Sequence, residues 1–269
     1  MAARIRMCRN CTFTSFSRES DTQCFVKHCV SQPLMTDYAH IYAHRADEYH
    51  RFISVEDLDG NLLKAIESVA LIDGKRVIDL GTGTGRLPLL FAHRAAQMIG
   101  LDLHRDMLRR NKLGRETRNG KWGLTQGDMR RLPLPNAWAD LVTAGWSISF
   151  LLGAYPADWQ AQIGRVIREM QRVCAPGGTL IIFETLTTGS IIPAPPSEAL
   201  AEYYAWLESE WGFTRQALST DYQFESVAQA VELTEFFFGP ELSEKIRANG
   251  WARLPEWTGM WSLTPSPLS

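Results

Sequence analysis

Several residue types and patterns are scarce in this chain of 269 residues, and each scarcity narrows what it does. No run approaches the roughly 18 uninterrupted apolar residues that a membrane-spanning helix needs. Twenty-eight basic residues against thirty acidic ones give a formal net charge of −2. There is thus no global basic balance to favour nucleic acid or an anionic membrane surface. Cysteine is nearly absent from the body of the chain. Of five, Cys8, Cys11, Cys24 and Cys29 crowd the first thirty residues, and only Cys174 lies beyond. Cys174 reads as a small buried apolar residue. No internal repeat is found. The apolar content of 45% is ordinary for a globular protein and can support a sizeable core.

The chain does contain the run Val77-Ile78-Asp79-Leu80-Gly81-Thr82-Gly83-Thr84-Gly85-Arg86. Its first part predicts a short buried strand, its end a glycine-rich turn, and residues 87–94 the start of a helix. Such a unit points backbone N–H groups into a crevice at the strand's carboxyl end, where open α/β sheets hold nucleotide-like ligands. The glycine spacing is G-x-G-x-G, and Arg86 stands where a dinucleotide fingerprint carries its third glycine. Asp79, two residues before the first glycine, would repel a pyrophosphate and suits a ligand with a cationic end. An amino-acid-like group fits, its ammonium toward Asp79 and its carboxylate on the glycine N–H donors. A contact of this kind contributes roughly 1.5–3 kcal/mol.

The pattern Asp79-x-Gly81-x-Gly83-x-Gly85 resembles motif I of the class I S-adenosylmethionine-dependent methyltransferases. The resemblance continues in order over roughly residues 38–265. Met98-Ile99-Gly100-Leu101-Asp102-Leu103 reads as a second strand ending in an acid. Gly127-Asp128-Met129 follows a third strand expected over 122–126, and residues 139–144 read as a fourth. Ala175-Pro176-Gly177-Gly178 is similar to the family's turn into strand 5, which runs to Phe183. A lone glycine turn is weak evidence, but these four signals are strong together.

The resemblance implies S-adenosyl-L-methionine as cofactor and a small-molecule methyl acceptor. It implies a cofactor site made of Asp79, Gly81, Thr82, Gly83 and Gly85 around the glycine turn, Asp102 and Leu103 at the ribose, and Asp128 and Met129 at the adenine. Tyr42, on an amino-terminal helix that covers the cofactor, and Trp146, after strand 4 where the family places acceptor-binding residues, complete the set. The fold implied is a Rossmann-like α/β three-layer sandwich. Its seven-stranded sheet is mostly parallel, with an antiparallel, inserted last strand and a helical lid insertion after strand 5. The methyltransferase domain is expected over 35–269, with the lid at about 187–211. A cytoplasmic enzyme, monomer or homodimer, is expected, with neither nucleic acid nor membrane as partner.

Periodicity supports the same alternation. Residues 37–50 predict a helix with Tyr38, Tyr42, Ala46 and Tyr49 on one face, and residues 58–69 predict another. The first strand is expected over 76–80 with its helix running to about 96, and the second strand leads to a helix near 105–113. A helix is expected over 156–172, with an apolar stripe at Ile163, Val166, Ile167 and Met170. After strand 5 come a proline-rich linker at 191–196 and an aromatic helix at 197–211 with Tyr203, Tyr204 and Trp206. A sixth strand is expected over 213–224, one or two helices over 227–249, and a last strand over 256–264 whose alternation favours an antiparallel edge.

Methyl transfer from a sulfonium needs a base only if the acceptor atom still holds its proton. His40, His44 and His50 are the base candidates, because the amino-terminal helix can close over the site. His40 and His44 also lie at i, i+4, a metal-ligand spacing, but no third ligand follows and no metal is expected there. Ala144-Gly145-Trp146-Ser147 differs from the Asn/Asp-Pro-Pro-Tyr-type motif of DNA and protein amino-methyltransferases.

Residues 1–34 lack apolar periodicity, and their basic residues outnumber their acidic ones. Three readings stay open: a disordered extension, an Arg- and Ser-rich targeting peptide, and a zinc site. Cys8-x2-Cys11-x12-Cys24-x3-His28 has metal-ligand spacing, similar to the zinc finger of an rRNA guanine methyltransferase family. Arg9-Asn10 makes a poor knuckle between the first pair, so the disordered extension is preferred. Rival functions are an rRNA methyltransferase with that zinc site and a non-catalytic cofactor-binding relative. A nicotinamide-dependent oxidoreductase is disfavoured by Asp79. Deleting residues 1–34 should leave binding of the demethylated cofactor intact by calorimetry; a truncated chain that cannot fold refutes the extension reading.

Overall fold

The computed structural model describes residues 38–265, so the expectations for residues 1–34 lie outside the described residues. Three helices come first: α1 (Tyr38–His44), α2 (Ala46–Ile53) and α3 (Asn61–Val69). Strands and helices then alternate as β1 (Arg76–Leu80), α4 (Arg86–Phe91), β2 (Gln97–Asp102), α5 (Arg105–Thr117), β3 (Gly123–Gln126) and β4 (Ala139–Gly145). After α6 (Phe150–Ala154) and α7 (Trp159–Val173) come β5 (Cys174–Thr188), α8 (Glu198–Ser209), β6 (Thr214–Ser219) and β7 (Tyr222–Gln223). The chain finishes with α9 (Val227–Phe238), α10 (Pro240–Asn249), β8 (Arg253–Leu254) and β9 (Glu256–Leu263).

Seven strands form one sheet in the order β3-β2-β1-β4-β5-β9-β6, with β9 antiparallel to both neighbours and the first five strands parallel. Parallel strands covered on both faces read as continuous apolar runs rather than alternating ones. In β1, Val77, Ile78, Asp79 and Leu80 are accordingly all buried. Val77 points to the α3–α4 side with Leu62, Ile66 and Phe91, and Ile78 to the α7 side with Val166, Ile167 and Met170. The Rossmann-like sheet with an antiparallel last strand is therefore as expected.

Four expectations need correction. The α4 helix ends at Phe91 rather than near residue 96, because Ala96 N–H turns back to the Lys75 carbonyl and leads into β2. The expected sixth strand is two, since Thr220 N–H bonds Glu256 and β7 leaves to pair with β8. The alternation of the last strand favours an edge, but β9 is inserted between β5 and β6, as the family resemblance implies. The helix read as a lid is a core element. Tyr203, Tyr204 and Leu207 of α8 are buried, and Tyr204 donates to the Thr185 carbonyl at 2.7 Å and packs on Trp261. It is the crossover helix from β5 to β6, two strands of the same direction.

The carboxyl ends of the parallel strands are instead covered by α1 and α2 with α9. Tyr38, Tyr42 and Tyr49 pack with Phe237 of α9, and Tyr38 and Tyr42 also meet Phe150 of α6. Phe52, Tyr222, Phe224, Ala230 and Ile246 fill a separate small core beneath this cover. Among the described residues no helix is long and apolar enough to cross a membrane. Tyr204→Ala should lower stability by about 3–5 kcal/mol, as for other buried large aromatics, measured by urea unfolding. A peripheral lid helix would leave the unfolding curve unmoved.

Candidate functional site

The turn after β1 is folded by its own backbone. Gly81, Gly83 and Gly85 have φ of 64°, 52° and 99°, a region that glycine enters without steric cost. A Cβ on Gly81 would overlap the Ser147 side chain, and one on Gly85 would fall 2.9 Å from Asn111 Oδ1. Three of the turn's N–H groups are spent within the protein. Thr82 donates to the Leu101 carbonyl at 2.9 Å, Gly83 to Asp102 Oδ2 at 2.8 Å, and Gly85 to the Thr82 carbonyl at 3.0 Å. The expectation that a ligand carboxylate takes the glycine N–H donors is corrected to that extent.

Asp79 is the last residue but one of β1, with a side chain that is 2% exposed. Its Oδ1 accepts from Thr143 Oγ1 at 2.7 Å. Burial lifts its carboxyl to about 7, opposed by the Thr143 and Thr82 hydroxyls and helped by the charge of Asp102. Asp102 ends β2 and is also buried, accepting from Gly83 N–H and, through Oδ1, from His104 N–H at 2.8 Å. Burial raises its carboxyl too, and those backbone bonds oppose the shift. Leu103 beside it is 59% exposed. Asp128 is half-exposed and held by Arg130, whose Nε donates to both oxygens at 3.0 Å and whose Nη2 donates to Oδ2 at 2.6 Å. Met129 lies next to the glycine turn, its Cε within 3.6 Å of where a Gly81 Cβ would stand.

Trp146 follows β4 with φ of 49°, unusual for a bulky residue. It is held from both faces, stacked on Phe183 at 5.6 Å and covered by the Arg86 guanidinium at 3.7 Å. Arg86 is paired in turn with buried Glu56, Nη2 to Oε1 at 2.6 Å. A cavity of about 30 Å³ is lined by Asp79, Thr82, Arg86, Trp146, Tyr49 and Ile53 with the turn backbone. Tyr42 does not line it; its ring packs against Tyr49 at 5.3 Å and lies 6.1 Å from that of His104.

The three histidines separate. His40 and His44 are exposed and set ring to ring at 4.8 Å. His50 Nδ1 lies 3.0 Å from Thr84 Oγ1 but opens into a second cavity of about 200 Å³ behind the turn, with Glu56, Asp57, Arg86 and Arg118. Burial first, and then Arg110, hold its imidazole down to about 4, so it is neutral at neutral pH. Among the described residues no cluster of histidine, cysteine and carboxylate side chains is placed to hold a metal.

Sequence reasoning missed Thr143, Arg86, Glu56, Asn111 and Gly100. Asn111 joins the turn to α5, its Nδ2 reaching the Gly83 carbonyl at 3.2 Å, and Gly100 leaves room for the Thr82 side chain. A buried acid at a strand end signals that some hydroxyl must meet it, but not which one.

Residues 78–182 match the model of the methyltransferase domain family. The chain is 31% identical over 161 residues to a phosphatidylethanolamine N-methyltransferase of Cereibacter sphaeroides, covering 58% of this chain and 73% of the relative. The chain belongs to the class I S-adenosylmethionine-dependent methyltransferases. A malonyl-[acyl-carrier protein] O-methyltransferase of Legionella pneumophila is 30% identical over 168 residues, 61% of this chain and 55% of that protein. The chain thus spans about half the length of the first curated relatives it matches. Its fold is like that of a SAM-dependent methyltransferase from Aquifex aeolicus, with a TM-score of 0.51 and 15% identity over 82% of this chain and 98% of that one. The cofactor of this methyltransferase family is S-adenosylmethionine.

Another buried carboxyl stands on β5. Glu184 accepts from Ser149 N–H at 3.0 Å and Ser149 Oγ at 2.8 Å, and burial lifts it to about 7 against those bonds. Between the ordinary carboxylate range and about pH 7, Asp79 and Glu184 therefore tend to hold protons in the fold that the unfolded chain has released. Their contribution is fully present below the ordinary carboxylate range and lost as pH rises through about 7. Urea unfolding of the ligand-free protein should show stability falling from pH 4.5 to 7.5, and Asp79→Asn should flatten part of that slope.

Proposed function

We propose that this chain transfers the methyl group of S-adenosylmethionine to a small-molecule acceptor. The observation that carries the reading is a buried, otherwise lightly bonded acid, Asp79, lining a cleft beside a turn whose glycines let its backbone come close. A carboxylate there suits an ammonium and not a pyrophosphate. Asp102, at the end of the adjoining strand, takes one N–H on each oxygen and keeps a second lone pair on each. It can accept from ribose hydroxyls without releasing the turn. Asp128 would serve the adenine amino group while sharing its oxygens with Arg130, and Met129 would pack on the ring. Leu103 lies beside the ribose position, and Tyr42 backs Tyr49 in the cover.

When bound, S-adenosylmethionine supplies a methyl already activated by the sulfonium. The protein's own task is alignment and exclusion of water. Positioning of this kind gains roughly 7–11 kcal/mol in well-aligned intramolecular reactions. The covering rings of Tyr38, Tyr42, Tyr49, Phe150 and Phe237 and the buried wall of Trp146 and Phe183 suit that task. The relatives carry the names of a malonyl-[acyl-carrier protein] O-methyltransferase and a phosphatidylethanolamine N-methyltransferase, and these support an acceptor outside nucleic acid.

Calorimetry with S-adenosylhomocysteine should give one saturable site per chain. Asp102→Ala should weaken it by at least about 1.5–3 kcal/mol, the range for hydrogen bonds to a charged group, because it also frees the Gly83 and His104 N–H groups that anchor the turn. Binding of NADH in place of S-adenosylhomocysteine would refute the reading.

A further inference from the structure

We propose that Arg86 binds the carboxylate of the cofactor's amino-acid end, opposite Asp79, which takes its ammonium. The proposal rests on the reading of the cleft given above. Asp79 and Arg86 line the same small cavity, so one carboxyl and one guanidinium share a space shaped between Tyr49, Thr82 and Trp146. An α-amino acid presents the matching pair of opposite charges.

Two observations favour Arg86 over the backbone. The first is that the N–H groups of Thr82, Gly83 and Gly85 are already spent on Leu101, Asp102 and Thr82. The second is that the guanidinium is fixed but not used up. Its plane lies over the Trp146 ring at 3.7 Å, and its Nη2 reaches Glu56 Oε1 at 2.6 Å. Beyond that close ion pair the guanidinium makes no hydrogen bond among the described residues, and Nη2 itself is a buried donor without a well-aligned acceptor. A largely buried guanidinium with unspent donors calls for an acceptor, and a carboxylate matches its planar fork on two points. Glu56 is 2% exposed at its side chain, enclosed with Tyr222 and Glu256, and cannot swing round to supply that acceptor itself. It holds the arginine in place as a positioning residue.

The proposal is tested on the full chain by calorimetry with two thioethers. One is S-adenosylhomocysteine; the other is 5′-deoxy-5′-(3-aminopropylthio)adenosine, which keeps the ammonium and lacks the carboxylate. The wild-type protein should prefer the first by roughly tenfold to a hundredfold, the range for one charged contact. Arg86→Gln should lose that preference by weakening the first ligand alone. Arg86→Lys, which keeps a cation beside Glu56 and so protects folding, should retain an intermediate preference. A purely structural arginine would weaken both ligands equally, and that result overturns the proposal. Equal affinity of the wild-type protein for the two ligands overturns it as well, while leaving the cofactor reading intact. Binding of neither ligand defeats both.

Discussion

The carboxylate of Asp102 holds the glycine turn against the end of the second strand. One oxygen takes the N–H of Gly83 and the other that of His104 at the start of α5, so a single side chain ties β1, β2 and two helices at one point. The other site features depend on that knot. It fixes where Asp79 looks out, which of the turn's donors are spent, and how near Ser147 and Met129 can come to Gly81. Asn111 and Thr82 reinforce it from below, and neither would fit if Gly85 or Gly100 carried a Cβ.

Charge is handled by burial as much as by pairing. Asp79 and Glu184 are each bonded to a threonine or serine hydroxyl rather than to a cation, and both are lifted to about 7. Behind the cleft, Glu56 and Glu256 share an enclosed space with the single guanidinium of Arg86. Burial raises both carboxyls. The charge of Glu56 pushes Glu256 up further, while the Arg86 guanidinium beside Glu56 pulls Glu56 back. Isolated buried charges would be expensive, and the guanidinium offsets part of that cost. The same ion pair presses the guanidinium on Trp146, so the electrostatics of the back wall set the geometry of the front.

Features carried by local sequence were legible. Val77–Leu80, Met98–Asp102 and residues 139–144 read as buried strands because an apolar run between turn signals has few other uses in an alternating chain. Asp79 and Asp102 were legible because a strand-end acid beside glycines is a short-range pattern. Contacts made by distant residues were not. Thr143 meets Asp79 across 64 positions, and Glu56 meets Arg86 across 30, and no spacing rule links them. The aromatic helix α8 was misread because a stripe of Tyr and Trp looks alike whether it faces a ligand or a core; only the position of β9 between β5 and β6 decides it. The shorter α4 has the same cause, a backbone bond from Ala96 to Lys75 that no propensity reports.

Trp146 illustrates what two incompatible demands do to one position. Its main chain sits at φ 49°, where a residue without a side chain would rest most easily, yet its indole is clamped between a phenyl ring and a guanidinium. Glycine there would relax the main chain and forfeit the clamp; another aromatic would keep a clamp and still bear the strain. Substitutions at this site therefore trade one cost against another rather than removing either, and no single replacement improves both terms at once.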